Sequence, residues 1–230
     1  MSETTRDLIV YGAGGFGREI AAMAEDGCHA GHGTPKWRVI GFADDTPALR
    51  GETVHGLPCL GSLAEASAVR GNAETWCCVA FGDNAARREA AARIEAAGWK
   101  AATVIHPSAF VSWQIKLGEG CIVNPMTTIS PNVSIGRHAL IGTRASIGHD
   151  AALGDFSWVA AGASVLGHAR IGNGAMIGTN AVVLPHITVG DWATVGACVP
   201  AMVPVKPGHT ICLPLARTIF KLDRLPDDES

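Results

Sequence analysis

The chain has 230 residues, 47% of them hydrophobic and 17% charged, with a formal net charge of −3. That composition excludes a disordered chain and supplies enough apolar side chains for one large domain or two small ones. The slight acidity gives no general attraction to nucleic acid or to an anionic membrane, and no apolar stretch reaches the length of a spanning helix. The opening MSETTRD is polar, with neither the apolar core nor the basic region of a leader. The seven cysteines are odd in number and include no CxxC pair, which points to reduced thiols. Together these features lead us to expect a cytoplasmic protein.

In chain order, DLIVYG (7–12) predicts a strand, and AGGFGREIAAMAEDG a glycine turn feeding a helix that stops at Gly27. RVIGFADD (38–45) predicts a second strand ending in two acids, and TWCCVAFGDN (75–84) a third. ARREAAARIEAAG (86–98) predicts a helix with Ile94 and its alanines inward, stopped by Gly98. Alternation of strand and helix is the pattern of a parallel α/β sheet. Gly12, Gly14 and Gly17 fit GxGxxG between a strand and a helix. Glycines there let backbone N–H groups approach a diphosphate at a helix N-terminus. A plain strand–helix turn needing small residues is the other reading. On the first, Asp44 and Asp45 are candidate acceptors for a ribose or base.

After residue 104 the texture changes. Every sixth residue from Ile105 to Val195 is Ile, Leu or Val, sixteen positions without an exception. Neither a helix period of 3.6 nor a simple strand produces this, whereas a hexapeptide β-helix does. Residues 117, 135, 153, 171 and 189 are eighteen apart and each is followed by Gly. One coil therefore carries three short strands, with inward side chains stacked about 4.8 Å apart. Slightly more than five coils are expected, with glycine answering a corner's need for positive φ or little bulk.

This beat, with YGAGGFGRE in front of it, resembles the hexapeptide-repeat sugar O- and N-acyltransferases, the group of sialic acid O-acetyltransferases and nucleotide-aminosugar N-acetyltransferases. The resemblance runs from Leu8 to about Arg217. It implies a Rossmann-like acceptor-binding domain over 1–104 and a left-handed parallel β-helix over 105–217, followed by a charged tail over 218–230. It also implies a homotrimer that takes acetyl-CoA as co-substrate, with no metal.

In ASIGHDAALGDF (145–156), His149 and Asp150 are the third and fourth residues of their hexapeptide, counted from inward Ile147, so they face outward at a corner. By pattern alone this is a solvated corner or a catalytic pair. The resemblance implies the second: GH followed by an acid supplies the base and its partner. A histidine suits deprotonation of an attacking amine or hydroxyl, and a carboxylate on its other ring nitrogen fixes the tautomer. The nearest serine, Ser146, fits no nucleophile motif, so direct attack on the thioester is expected. The resemblance places acetyl-CoA contacts at Trp158, Gly167, Thr179 and Ala197, Trp158 being equally readable as a subunit-interface aromatic. It places acceptor contacts at Gly14, Gly15, Phe16, Asp44 and Asp45. Gly82-Asp83-Asn84 and Arg87 are further candidates for that cleft.

The chain departs from the family pattern at Phe16, where GGHG is usual, at Gly142-Thr143, where Asn-Thr is common, and at CLPLAR (212–217). The first two concern the acceptor and keep a non-sugar acceptor, such as an amino acid or antibiotic, in play. A third reading starts from His168 and His186, eighteen apart and near His149, as a zinc site like that of gamma-class carbonic anhydrases. No two histidines here are five apart, which that class requires, and it lacks an N-terminal α/β domain.

Overall fold

A computed structural model describes residues 5–26, 36–71 and 73–214. The helix stop at Gly27, the end of CLPLAR and the tail lie outside the described residues.

Strand β1 (Thr5–Tyr11) leads into helix α1 (Gly15–Glu25) and strand β2 (Lys36–Ala43). A short antiparallel hairpin, β3 (Thr53–Val54) and β4 (Leu57–Pro58), precedes helix α2 (Leu63–Arg70). Strand β5 (Trp76–Val79), helix α3 (Asn84–Ala96) and strand β6 (Lys100–Ala101) complete the domain. The sheet is parallel with order β2-β1-β5-β6. β1 is central and buried on both faces: Leu8 and Val10 pack on one side, Ile9 and Tyr11 on the other. β1 connects to β2 on one side and β5 connects to β6 on the other, which makes the β1/β5 crevice the switch point where α/β sheets take ligands. The hairpin, α2 and β6 were not among the sequence expectations.

The β-helix is a left-handed three-sided prism of about six turns. Its first face runs from Val104–Ile105 to Thr210–Ile211, its second from Phe110–Val111 to Pro200–Ala201, and its third from Lys116–Leu117 to Thr188–Val189. Consecutive rungs pair eighteen residues apart, as in Val123↔Ile141. The inward Ile, Leu and Val residues form one continuous core with interleaved alanines. One coil more is present than the six-residue beat predicts. Val183 pairs with Ala201, eighteen on, but Val195 pairs with Ile211 and Val189 bridges Val205, sixteen on. The last coil drops two residues, so a fixed count loses it.

The corners also correct the reading of the glycine ladder. From Leu117 to Val195, positive φ falls on the third residue after every inward aliphatic, including Asn132, Asp150, His168 and His186. The glycine that follows the aliphatic answers a different need. A Cβ at Gly136 would lie 2.5 Å from the backbone nitrogen of Asp155 on the next coil.

The two domains share a core. Ile20, Met23 and Ala24 of α1 pack with Val104, Ile122 and Leu140, which point outward from the first face. The N-terminal domain therefore covers the first face, and the corner between the second and third faces lies across the prism from it. No helix among the described residues is long and apolar enough to cross a membrane.

Candidate active site

His149 and Asp150 stand at the corner between the second and third faces. The left-handed backbone at Asp150, φ 60°, turns its carboxylate back toward its neighbour. His149 Nδ1 and Asp150 Oδ2 are 2.8 Å apart. With Nδ1–H as the donor, the other ring nitrogen, Nε2, is left as an acceptor on a side chain that is 63% exposed. Asn132, one coil before, donates from Nδ2 to Asp150 Oδ1 at 3.2 Å, and the Arg170 guanidinium donates to the Asp150 carbonyl at 2.6 Å. The bonds from His149 and then Asn132 hold the Asp150 carboxyl below its usual range. A histidine oriented by a carboxylate that is itself anchored is an arrangement able to take a proton in acyl transfer.

Gly167 lies one coil below His149. A Cβ there would be 2.9 Å from His149 Cε1 and Nε2, so the imidazole leans over this glycine. His168 meets the His149 ring edge-on at 5.2 Å and stacks on His186 at 4.8 Å. Of the expected acetyl-CoA positions, the structure brings Gly167 to His149. Thr179 and Ala197 are adjacent rungs of another corner, Cys198 N–H donating to the Thr179 carbonyl at 2.8 Å. That corner bounds the far edge of the second face, whose outward stripe includes Ser146 and Ser164. Trp158 is not with them. It projects from the first face and packs against the chain's own N-terminal domain.

Trp158 is the shared wall of two clefts. One, of about 210 Å³, is lined by Asp83, Asn84, Gly174, Met176 and Trp192 among others. The other, of about 180 Å³, includes Phe16, Glu19, Asn124, Gly142 and Thr143. The two departures that concern the acceptor, Phe16 and Gly142-Thr143, thus line one cavity.

Gly14, Gly15 and Phe16 form the N-terminus of α1 at the β1/β5 crevice. Gly12 has φ 109°, and a Cβ at Gly17 would overlap the Gly12 carbonyl, so these two are required by the turn itself. A Cβ at Gly14 would meet nothing within 4 Å, so packing does not explain that glycine. Asp44 and Asp45 are brought close, but their carboxylates already have partners within the domain. Asp44 accepts from Ala13 N–H at 2.7 Å and Thr46 N–H at 2.9 Å. Burial opposes its charge, yet these bonds prevail and its carboxyl lies below the usual range. Asp45 accepts from Arg93 at 2.6 Å and from the Tyr11 hydroxyl at 2.6 Å. Both acids line a cavity of about 340 Å³ with Arg50 and Glu65, separate from that of Phe16.

Arg87 is buried, not in a cleft. Its guanidinium donates to the carbonyls of His138 at 3.0 Å, Phe81 at 3.0 Å and Phe156 at 2.8 Å, and to Asn84 Oδ1 at 2.9 Å. Asn84 in turn donates to the Gly174 carbonyl at 2.9 Å. These residues pin the N-terminal domain to a corner of the β-helix. Sequence reasoning also missed Asn132 and Arg170 beside the candidate base, and Tyr11 and Arg93 beside Asp45. Asn132 could have been found by counting eighteen back from Asp150.

The described fold is that of a hexapeptide-repeat acyltransferase with an N-terminal α/β domain. Residues 7–94 match the PglD N-terminal domain model, 132–166 the hexapeptide repeat of succinyl-transferase, and 168–199 the bacterial transferase hexapeptide. The acetyltransferase domain of PglB from Neisseria gonorrhoeae is 30% identical, with 89% of this chain and 95% of that one covered and a TM-score of 0.76. Its complex with acetyl coenzyme A aligns at 28% identity over 90% and 96% of the two chains, TM-score 0.78. A mutant of perosamine N-acetyltransferase from Caulobacter crescentus, in complex with CoA and GDP-perosamine, is 26% identical over 89% and 92%, TM-score 0.81. No curated protein sequence matches the chain. The chain belongs to the hexapeptide-repeat sugar acyltransferases.

Proposed function

We propose that the protein transfers the acetyl group of acetyl-CoA to an amino group of a nucleotide-linked sugar, with His149 as general base. The observation that carries this reading is the His149–Asp150 hydrogen bond of 2.8 Å on an exposed corner, in a chain whose relatives include CoA and GDP-perosamine complexes. His149 Nε2 takes the amine proton as the nitrogen attacks the thioester carbonyl. The N–C bond forms, the C–S bond breaks, and the proton passes from the imidazolium to the departing CoA sulfur. Asp150 keeps Nδ1 protonated and offsets the imidazolium charge.

The acceptor nucleotide is assigned to the β1/β5 crevice, with Gly14 and Gly15 presenting backbone N–H groups to its diphosphate. Asp44 shapes that loop by holding Ala13 and Thr46. The N-terminal domain covers the first face, and His149 stands across the prism from it. An acceptor held by one copy is therefore met by His149 of another, and we propose a homotrimer in which each site joins two copies. The second face, between Gly167 and the Thr179–Ala197 corner, is the surface assigned to acetyl-CoA. Trp158, facing its own N-terminal domain, is reassigned to the acceptor side.

The test is release of CoA from acetyl-CoA across UDP-, dTDP- and GDP-linked amino sugars, CMP-sialic acid and free sialic acid, with His149→Ala as the paired variant. Turnover with an amino sugar that falls by about 10²-fold or more in the variant supports the reading. Turnover insensitive to the substitution removes His149 as base. Turnover only with a hydroxyl acceptor replaces the amine.

A further inference from the structure

The corner that carries His149 and Asp150 holds more than a base and its orienting acid. The left-handed rungs at 132, 150, 168 and 186 form a ladder of Asn, Asp, His and His. His168 Nε2 is 3.8 Å from Asp150 Oδ2, and ligand atoms of His149, Asp150 and His168 all lie within 4.8 Å of one another. The missing Cβ at Gly167 is what lets His149 lean down toward His168. The parallel stack on His186, interplanar angle 5°, supports the His168 ring from the next coil.

We propose that His149, Asp150 and His168 form a binding site for a divalent transition-metal ion such as Zn2+, and that the ion inhibits the enzyme by occupying its base. Two imidazoles and a carboxylate are a donor set that zinc accepts, with bonds of about 2.0–2.2 Å. Ligand atoms must then approach to roughly 3.3 Å in a tetrahedral site, the separation that such bonds impose. His149 and His168 are 63% and 43% exposed, so small rotations of their rings close the gap at little packing cost. Asp150 brings the one negative charge, and its carbonyl holds the Arg170 guanidinium. That opposing charge makes this an open, exchanging site, weaker than a closed structural one. The ion is not a cofactor here: it competes with the proton for His149. The binding itself does not depend on what His149 does in catalysis; only the inhibition rests on the proposed function.

The experiment uses the full chain with Cys198→Ser and Cys212→Ser, because both thiols are exposed and would bind the same ions. Zn2+ is titrated calorimetrically without acetyl-CoA, and Co2+ is used as a spectroscopic probe. A single saturable step is expected, weakened at least about tenfold by His168→Ala, the lower end of what even an outer-shell loss costs a metal site. The cobalt spectrum should show d–d bands without thiolate charge transfer. Binding unchanged by His168→Ala, or a thiolate band, overturns the site. Inhibition is read from acetylated product, since CoA itself binds zinc, and its midpoint should move with the calorimetric constant. Binding that depends on His168 but leaves turnover unaffected keeps the site and overturns both the inhibition and the role of His149.

Discussion

The imidazole of His149 rests on Gly167, one coil below, so closely that a Cβ there would sit 2.9 Å from Cε1 and Nε2. The glycine is needed for side-chain room, since its φ lies outside the left-handed region. Gly167→Ala should therefore leave the coil intact and push the ring off its line. A displacement of a few tenths of an ångström at a base is costly when attack geometry is tight. We expect kcat to fall by roughly tenfold, with thermal stability little changed. A variant with wild-type kcat would show that the ring is free to lean elsewhere.

Asp150 combines a left-handed backbone with an anchored carboxylate, and the two can be separated. Asn tolerates φ near 60° as well as Asp does, so Asp150→Asn removes the charge without disturbing the corner. The amide cannot stabilise the imidazolium, and its NH2 competes for Nδ1. We expect kcat down by about 10²-fold with KM for acetyl-CoA near its original value. Asn132→Ala, which removes only the 3.2 Å bond to Oδ1, should cost a few-fold. A rise in KM alone, with kcat unchanged, would assign the pair to binding.

What could be read beforehand followed from short periods. An inward aliphatic at every sixth position is imposed locally by the prism, so the β-helix and the outward placement of His149 and Asp150 are visible in sequence. The capping box of α2 is also legible as Ser62 followed by Glu65, and both of its bonds form. What could not be read involves partners far apart in the chain. Arg87 meets Phe156, 69 residues on, and no local pattern announces that. Asp44 and Asp45 look like free acceptors because the N–H, hydroxyl and guanidinium that satisfy them come from other elements. Trp158 was placed by matched position alone, and only the packing of α1 on the first face shows which way it points.

Arg87 supplies a stability test. It is a buried cation with carbonyl and amide acceptors but, among the described residues, no carboxylate in contact, and burial lowers its pKa to about 10, still well above neutrality. Arg87→Met keeps much of the side-chain volume but strands carbonyls on both sides of the domain junction. Several orphaned acceptors at about 1 kcal/mol or more each give a loss of at least about 3 kcal/mol. For a chain of this size that lowers Tm by roughly 6–12 °C. Differential scanning calorimetry reads it directly, and a shift under about 2 °C, less than 1 kcal/mol on the same scale, would mean that water replaces the guanidinium.

His138 supplies a pH test. The residue is 2% exposed and its ring stacks on Phe156 at 5.3 Å, and its Nδ1 has no hydrogen-bond partner among the described residues. Burial, with Arg137 and Arg87 nearby, pushes its pKa down to about 4. The unfolded chain takes up this proton near pH 6.5. Between the two values the unfolded state binds more protons, so stability rises with pH. This contribution is complete above about pH 6.5 and is lost as pH falls toward 4, a change of about 3 kcal/mol at full extent. His138→Phe keeps a ring against Phe156 and removes a buried nitrogen that bonds to nothing. The variant should match or exceed the wild type at pH 7.5 and should lose less stability on acidification to pH 5. Urea midpoints at the two pH values test this, and parallel losses in both proteins would locate the acid-sensitive group elsewhere.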